Sequence, residues 1–405
     1  MKMTKLCDKD KCTGCLACYN ACNHDAISII SDEEGFLIPS IDTSKCVGCN
    51  LCVRSCPVLS FIDHPRLSSI EAYAAWQHDY DIVRNSSSGG VFTAIAQWVL
   101  KKQGVVYGAA FDKNLKVSHI GVDDVNELHL LQQSKYVQSN VGKSFYQTKQ
   151  YLKEGRWVLF TGTPCQIAGL NNYLGVKLDK SKLLTLDVVC HGVPTPLVFE
   201  DYKKHLEQKH SARLINFSFR DKKWSWLHFN VKATFSNGKE YYGTWEADPF
   251  MRGFLREYFL RPSCHQCKYA SLERPGDLSI ADFWCYKHQR QEEQNKDRGI
   301  NAVLVNTVQG KIVFDEIKKD LFAYQKPKDE PVRTNQALRG CFPPSPKRVD
   351  FWKDYKMYGF EYLIPKYLYP EKMGLGLKIL YGLGKKPYYI YNGIVRILTK
   401  ITKKS

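Results

Sequence analysis

No run of about 18 apolar residues occurs in the 405-residue chain, which argues against a membrane-spanning helix. The opening stretch MKMTKLCDKDKC is charged and lacks the apolar core of a secretory signal, so the expected location is the cytoplasm. Nucleic-acid motifs are missing too, although the net charge is +17. Acid is scarce mainly at the end: residues 366–405 hold nine Lys or Arg and one Glu, and this tail alone supplies +8. The rest is mildly basic, so the total charge does not imply a nucleic-acid partner.

What is abundant is cysteine, fifteen in all. Inside a cell such a count points to metal ligation or redox work rather than to disulfides. Cys12, Cys15, Cys18 and Cys22 follow a C-x2-C-x2-C-x3-C order, repeated by Cys46, Cys49, Cys52 and Cys56 with Pro57 after the last. This is the bacterial ferredoxin run in two copies. In such runs three cysteines wrap one cluster and the fourth, expected to start a helix, reaches the other. One 4Fe-4S cluster is thus assigned to Cys12, Cys15, Cys18 and Cys56, and the other to Cys46, Cys49, Cys52 and Cys22. Zinc is the competing reading; the duplicated spacing and the matching Gly14 and Gly48 argue against it. Asn23 stands where the first run would carry proline, a change that touches no ligand. Residues 1–62 therefore read as a two-cluster ferredoxin-like module that passes single electrons.

After a linker-like stretch, DHPRLSSI, the pattern alternates strands and helices. EAYAAWQ, VVYGAAFD, WVLFTG, LLTLDVVCHG, DLSIADFW and NAVLVNT read as strands, GGVFTAIAQWVLKKQ and KIVFDEIKKD as helices, and HFNVKATFSNGKEYYGTWE as a hairpin turned at Asn237-Gly238. The fold class expected is mixed, α+β or α/β: the ferredoxin-like module followed by a two-lobed body, with lobes at 70–150 and 151–345 and a basic aromatic tail at 346–405.

Two features of the body carry chemistry. Ser86, Ser87, Ser88, Gly89 and Gly90 precede a helix, where hydroxyls and amides can cradle a phosphate, although serine is also an ordinary N-cap. Cys165 and Cys190 follow strand ends, and Cys264 and Cys267 form a Cys-x-x-Cys pair that lacks two partners. A lone buried cysteine is usually an inert small hydrophobe. Two cysteines at the carboxyl ends of strands, where ligands gather in open α/β sheets, together with the Cys-x-x-Cys pair, fit a third cluster.

In order along the chain, SSSGGVFTAI, SKYVQS, GTPCQIAGL, DVVCHGVP, RPSCHQCKYA and DLSIADFW resemble the coenzyme F420 hydrogenase/dehydrogenase beta subunit family, from about residue 5 to 340. The resemblance implies a flavoprotein with FAD, FMN being the variant left open, beside a 4Fe-4S cluster. Carried over, the flavin would meet Ser87, Ser88, Gly89 and Gly90, Lys135, Tyr136, Val137 and Gln138, and Thr161, Gly162 and Thr163. The body cluster would take Cys165, Cys190, Cys264 and Cys267. One departure is Cys285, where relatives usually have glycine; it reads as a spare thiol or a fifth ligand candidate. His191 and Asp282 are read as structural, with a proton-donor role open for His191. Cys7 and Cys341 have no role.

The function implied is an oxidoreductase in which electrons pass singly from a ferredoxin or other low-potential donor through the clusters to a flavin, which exchanges two with a small-molecule substrate. The alternative is an electron-transfer subunit that feeds a partner enzyme. Relatives also suggest an anaerobe and a link to polysaccharide or cell-envelope synthesis. Residues 388–403 can form a basic amphipathic helix, which gives two further expectations: peripheral contact with the inner face of the membrane, or packing on the body or another subunit, a homo-oligomer included.

Overall fold

The computed structural model describes residues 4–60, 62, 66–284, 286 and 298–369. Cys285 and the stretch 388–403 lie outside the described residues. Among the described residues no helix is long and apolar enough to cross a membrane.

The N-terminal module is built from two half-copies. Each has a Cys-x-Gly-Cys loop, a one-turn helix and a strand. The helices are α1 (Ala17–Ala21) and α2 (Leu51–Ser55), and the strands β1 (Ile27–Ser31) and β2 (Leu37–Ile41) form an antiparallel hairpin. The halves match in backbone detail. Gly14 and Gly48 have φ of +67° and +71°, and the residues before the helices, Leu16 and Asn50, have φ of 59° and 58°. The fourth cysteines, Cys22 and Cys56, stand at the C-caps of α1 and α2 in extended conformation. The expectation that they start helices is corrected: each one-turn helix carries the third cysteine and ends at the fourth, so the chain leaves extended toward the other half.

The body follows as β3 (Glu71–Gln77), α3 (Tyr80–Arg84), α4 (Val91–Lys101), β4 (Val105–Phe111), β5 (Val117–Val122), α5 (Ser144–Lys153), β6 (Val158–Gly162), α6 (Pro164–Leu174), β7 (Leu183–Val188) and α7 (Pro196–His210). It continues with β8 (Leu214–Asp221), β9 (Asn230–Phe235), β10 (Glu240–Thr244), α8 (Pro249–Leu255), β11 (Leu278–Asp282), β12 (Asn301–Val305), α9 (Val308–Ile317) and β13 (Leu321–Lys326). Three short helices close it: α10 (Asp329–Thr334), α11 (Arg348–Tyr358) and α12 (Phe360–Leu363).

Eight of these strands make one mixed sheet in the order β13-β3-β12-β11-β7-β6-β4-β5. Its centre, β4, β6, β7 and β11, is parallel, and the outer pairings are antiparallel. The central strands read as apolar runs because helices and loops cover both faces; β12 is buried along its whole length. The sheet takes β3, β4 and β5 from the expected first lobe and the remaining five strands from the second, so the two stretches share one core. A separate three-stranded sheet, β10-β9-β8, turns at Asn237-Gly238, where Gly238 has φ +79°. It packs with α7, α8, α11 and α12 in an aromatic cluster that includes Phe199, Phe219, Phe250 and Phe259.

Because β4, β6, β7 and β11 run the same way, their carboxyl ends open on one side of the sheet. That side faces the three-stranded sheet and the N-terminal module, and the chemistry-bearing residues collect there.

Candidate functional site

The eight cysteines of the module fall into two groups, paired crosswise. Cys18 lies within electrostatic reach of Cys12, Cys15 and Cys56. Cys52 lies likewise near Cys49 and Cys22, and a small cavity is lined by Cys22, Cys46, Cys49 and Cys52. Each helix therefore sends its last cysteine to the opposite group, as the extended C-caps require. Cys49 of the second group is exposed, whereas Cys15 of the first packs against Gly169 of α6, so the second group is the outer and the first the inner one. Cys7, to which the sequence assigned nothing, sits against Cys56 of the inner group, and burial pushes its thiol up to about 12.

A third group forms in the body. Cys165 follows β6 as the second residue of α6, whose start is fixed by Pro164 and a capping box between Thr163 and Gln166. Cys190 follows β7. Cys264 and Cys267 come from the turn after α8, where the Val193 amide donates to Cys264 Sγ at 3.4 Å. Cys190 is within electrostatic reach of the other three. Burial pushes the thiols of Cys165 and Cys264 up to about 11 and 12, so a neutral thiol is the resting form unless a metal displaces the proton. Among the described residues no three His, Cys, Asp or Glu are gathered tightly enough for a single metal ion. Four cysteines grouped in this way are the donor set of a 4Fe-4S cluster. Cys341 lies beside Cys267 and donates to His265 O at 3.0 Å.

The body group is adjacent to the inner group. A Cβ on Gly169 would come within 2.8 Å of Cys15 Sγ. Gly169 is four residues after Cys165 on the same face of α6, about 6 Å along the axis. Tyr269 feels the charge of Cys165 and Cys267 on one side and of Cys15 and Cys56 on the other, so its ring stands between the groups.

Beyond the body group opens a cavity of about 730 Å³, within the size range of cofactor pockets. Its lining contains Cys190, ten of the eleven residues expected at a flavin, and the ends of β6, β7 and β11. Ser88 donates to Ile300 O at 2.7 Å, and the Ser134 amide donates to Ser87 Oγ at 2.8 Å, which fixes the loop before α4. Gly90 turns the chain into α4 with φ +82°. Gly89 is the exception among the eleven: it is packed against β3 and β12, where a Cβ would lie 2.6 Å from Ala75 O. Gln138 lines the cavity but uses its amide group on the module, accepting from Leu37 N at 2.8 Å and donating to Leu37 O at 3.1 Å.

Two cavity residues, His119 and Arg220, escaped the sequence reading. His119 on β5 is buried, takes a 2.7 Å hydrogen bond with Ser139 Oγ and donates toward Thr161 O at 3.0 Å. Burial lowers its pKa to about 4, so it is neutral at pH 7. Arg220 forms two bonds to Asp282, at 2.8 and 3.2 Å, and donates to Tyr136 Oη and Ser87 O. Asp282 thus braces the cavity wall through Arg220 and Trp226. His191 pairs with Glu257 at 3.2 Å and packs on Phe342 at 3.8 Å between ring centres.

The donor set suits an anionic, partly aromatic cofactor. Among the described residues, Lys135 Nζ meets only the carbonyls of Leu130 and Gln132, and Arg220 Nε is buried without a partner. Burial lowers the Lys135 pKa to about 7. An anion bound beside it would restore the proton, so binding should take up a proton above that pH. The dissociation constant of FAD, followed by flavin fluorescence from pH 7 to 9, is expected to rise by up to about tenfold per pH unit. In Lys135→Met the affinity should be weaker and this slope absent; a wild-type slope in the variant would contradict the assignment.

Residues 155–330 match the model for the C-terminal part of the coenzyme F420 hydrogenase/dehydrogenase beta subunit. This stretch carries the C-terminal domain of that beta-subunit family. Residues 6–63 match a 4Fe-4S dicluster domain, so the chain joins an iron–sulfur electron-transfer module to a domain of the hydrogenase/dehydrogenase type. Among solved structures, a chain from the F420-reducing NiFe hydrogenase complex of Methanosarcina barkeri is similar at 14% identity and a TM-score of 0.45, over 73% of this chain and 95% of that chain. No curated protein matches the sequence.

Proposed function

We propose that this beta-subunit relative is a flavin-dependent iron–sulfur oxidoreductase with three 4Fe-4S clusters in series. The observation that carries the reading is continuity: the outer, inner and body cysteine groups follow one another, and Cys190 of the last lines the 730 Å³ cavity. A bound flavin supplies the exchange between single electrons and electron pairs. The chain's own residues do the rest. Cys22 and Cys56 lock the module's two groups together. Gly169 lets the inner group approach α6 closely. Ser87, Ser88 and Lys135 offer hydroxyls and a cation to an anionic cofactor, and Thr161, Gly162 and Thr163 form the wall between cavity and cluster.

Electrons enter at the outer group, where Cys49 is exposed, from a low-potential one-electron donor of the ferredoxin type. The substrate is a small molecule reduced or oxidised by two electrons at the cavity mouth. The family's description as a beta subunit favours a second reading, in which the electrons go on to a partner enzyme. Anaerobic purification followed by iron, acid-labile sulfide and flavin analysis tests the first reading. About twelve irons, at four per cluster, and about one flavin per chain are expected. Full iron without flavin would leave the electron carrier alone.

A further inference from the structure

Among the described residues three arginines are almost wholly buried: Arg220, Arg261 and Arg274, at 3, 2 and 2% exposure. Two carry carboxylates. Arg220 is paired with Asp282 at 2.8 Å, and Arg274 with Asp187 at 2.6 Å. Arg261 has none among the described residues. Its Nε donates to Cys12 O at 2.7 Å, and Nη1 and Nη2 each donate to Leu37 O at 3.3 Å. The guanidinium also lies over the Phe36 ring, 5.2 Å from its centre. Neutral carbonyls and a ring meet the guanidinium and leave its charge uncompensated. An uncompensated buried charge is strongly destabilising, so a negative charge is expected to face it.

The surroundings show where that charge would be. Arg261 bonds the backbone of Cys12, in the inner group. Its guanidinium lies within electrostatic reach of Cys165 and Cys264, in the body group. Its carbonyl accepts from the Cys264 amide at 2.9 Å, which ties it to the turn that carries two body ligands. Gly14 makes room for it, since a Cβ there would stand 2.7 Å from Nη1. The guanidinium therefore lies at the joint between the two groups and meets no carboxylate among the described residues.

We propose that Arg261 is the shared counter-cation of the inner and body clusters. This deepens the three-cluster reading and rests on it. A four-iron cube with four thiolates is net negative, and accepting one electron adds one more unit of negative charge. A fixed cation beside two such cubes favours the reduced form of each, and so raises both potentials relative to the outer cluster. The electron is then drawn inward, from the exposed group toward the cavity. No bond changes: one electron leaves the outer cluster, which is oxidised, and arrives at the inner one, which is reduced. Arg261 is a positioning residue, since it donates only to backbone carbonyls.

The test is a potentiometric titration of the loaded full chain, followed by electron paramagnetic resonance. Wild type is compared with Arg261→Gln, which removes the charge, and Arg261→Lys, which keeps it. In Arg261→Gln the inner and body clusters are expected to become at least about tenfold harder to reduce, a fall of about 59 mV for a one-electron couple. The outer cluster should stay where it was, and Arg261→Lys should lie close to wild type. A glutamine variant that loses inner and body iron while the lysine variant keeps it would support the same role. Unmoved potentials in Arg261→Gln would overturn it. So would a lysine variant displaced as far as the glutamine one, or one that fails to hold its iron, because the need would then be for the shape of arginine and not its charge. Wild type with fewer than three clusters would instead sink the three-cluster reading itself.

Discussion

Exchange of Cys264 for serine will lower the iron content from about twelve to about eight per chain, at four irons per cluster. The cysteine comes from the turn after α8, and its sulfur is oriented by the Val193 amide. Serine fills almost the same space, but its hydroxyl is not ionised near neutral pH and is a poor substitute for a thiolate. The module's clusters use none of these ligands and should keep their spectra. Flavin should also remain, because the loop before α4 is fixed by Ser88 on Ile300 O and not by the cluster. What should vanish is reduction of the flavin by electrons supplied at the module. Unchanged iron in Cys264→Ser would make the Cys-x-x-Cys turn a structural feature and end the chain of clusters at the inner group.

The second large effect is expected at Arg274. Its guanidinium binds Asp187 Oδ1 at 2.6 and 3.0 Å, Val188 O at 2.8 Å and Tyr269 O at 2.8 Å. It thereby joins the end of β7, three residues before Cys190, to the segment that begins with Cys264 and Cys267. Both partners of the pair are fully shielded, with side-chain exposures of 1 and 0%. Arg274→Met would strand the Asp187 carboxylate, with only the Gly276 amide at 2.9 Å left to it among the described residues, and should cost about 3–5 kcal/mol. A lower thermal midpoint and early loss of the body cluster on warming are the observable consequences. The paired replacement Arg274→Met with Asp187→Leu should recover most of the loss, because it removes both charges together. A single variant as stable as wild type would mean that water reaches Asp187.

The parts legible in the sequence were those written in local spacing. The two cysteine runs specify the module because three ligands of each cluster lie within seven residues of one another. The strand-to-turn junctions at Gly162 and Val188 were legible because a buried apolar run stops at Gly or Cys-His-Gly, and parallel neighbours then bring these ends together. The edge strands β5 and β13 were not assigned, since a short half-exposed strand has a weak pattern; β13 reads only partly buried. His119 was lost with β5. Gln138 and Arg261 act on Leu37 and Cys12 from 101 and 249 residues away, and no local pattern marks such contacts. Gly89 was read as a cofactor glycine because it stands in a Ser-Gly run. In the structure its missing side chain serves the packing of β3 and β12 instead.

One chain is expected to store electrons in three clusters and a flavin that communicate. An anaerobic titration with dithionite, followed by visible absorbance, tests this most directly. About five electrons per chain are expected, one for each cluster and two for the flavin, with flavin bleaching that draws on electrons delivered to the module. An end point near two electrons, with no flavin band to bleach, would contradict it and leave a two-cluster ferredoxin joined to a body without redox chemistry.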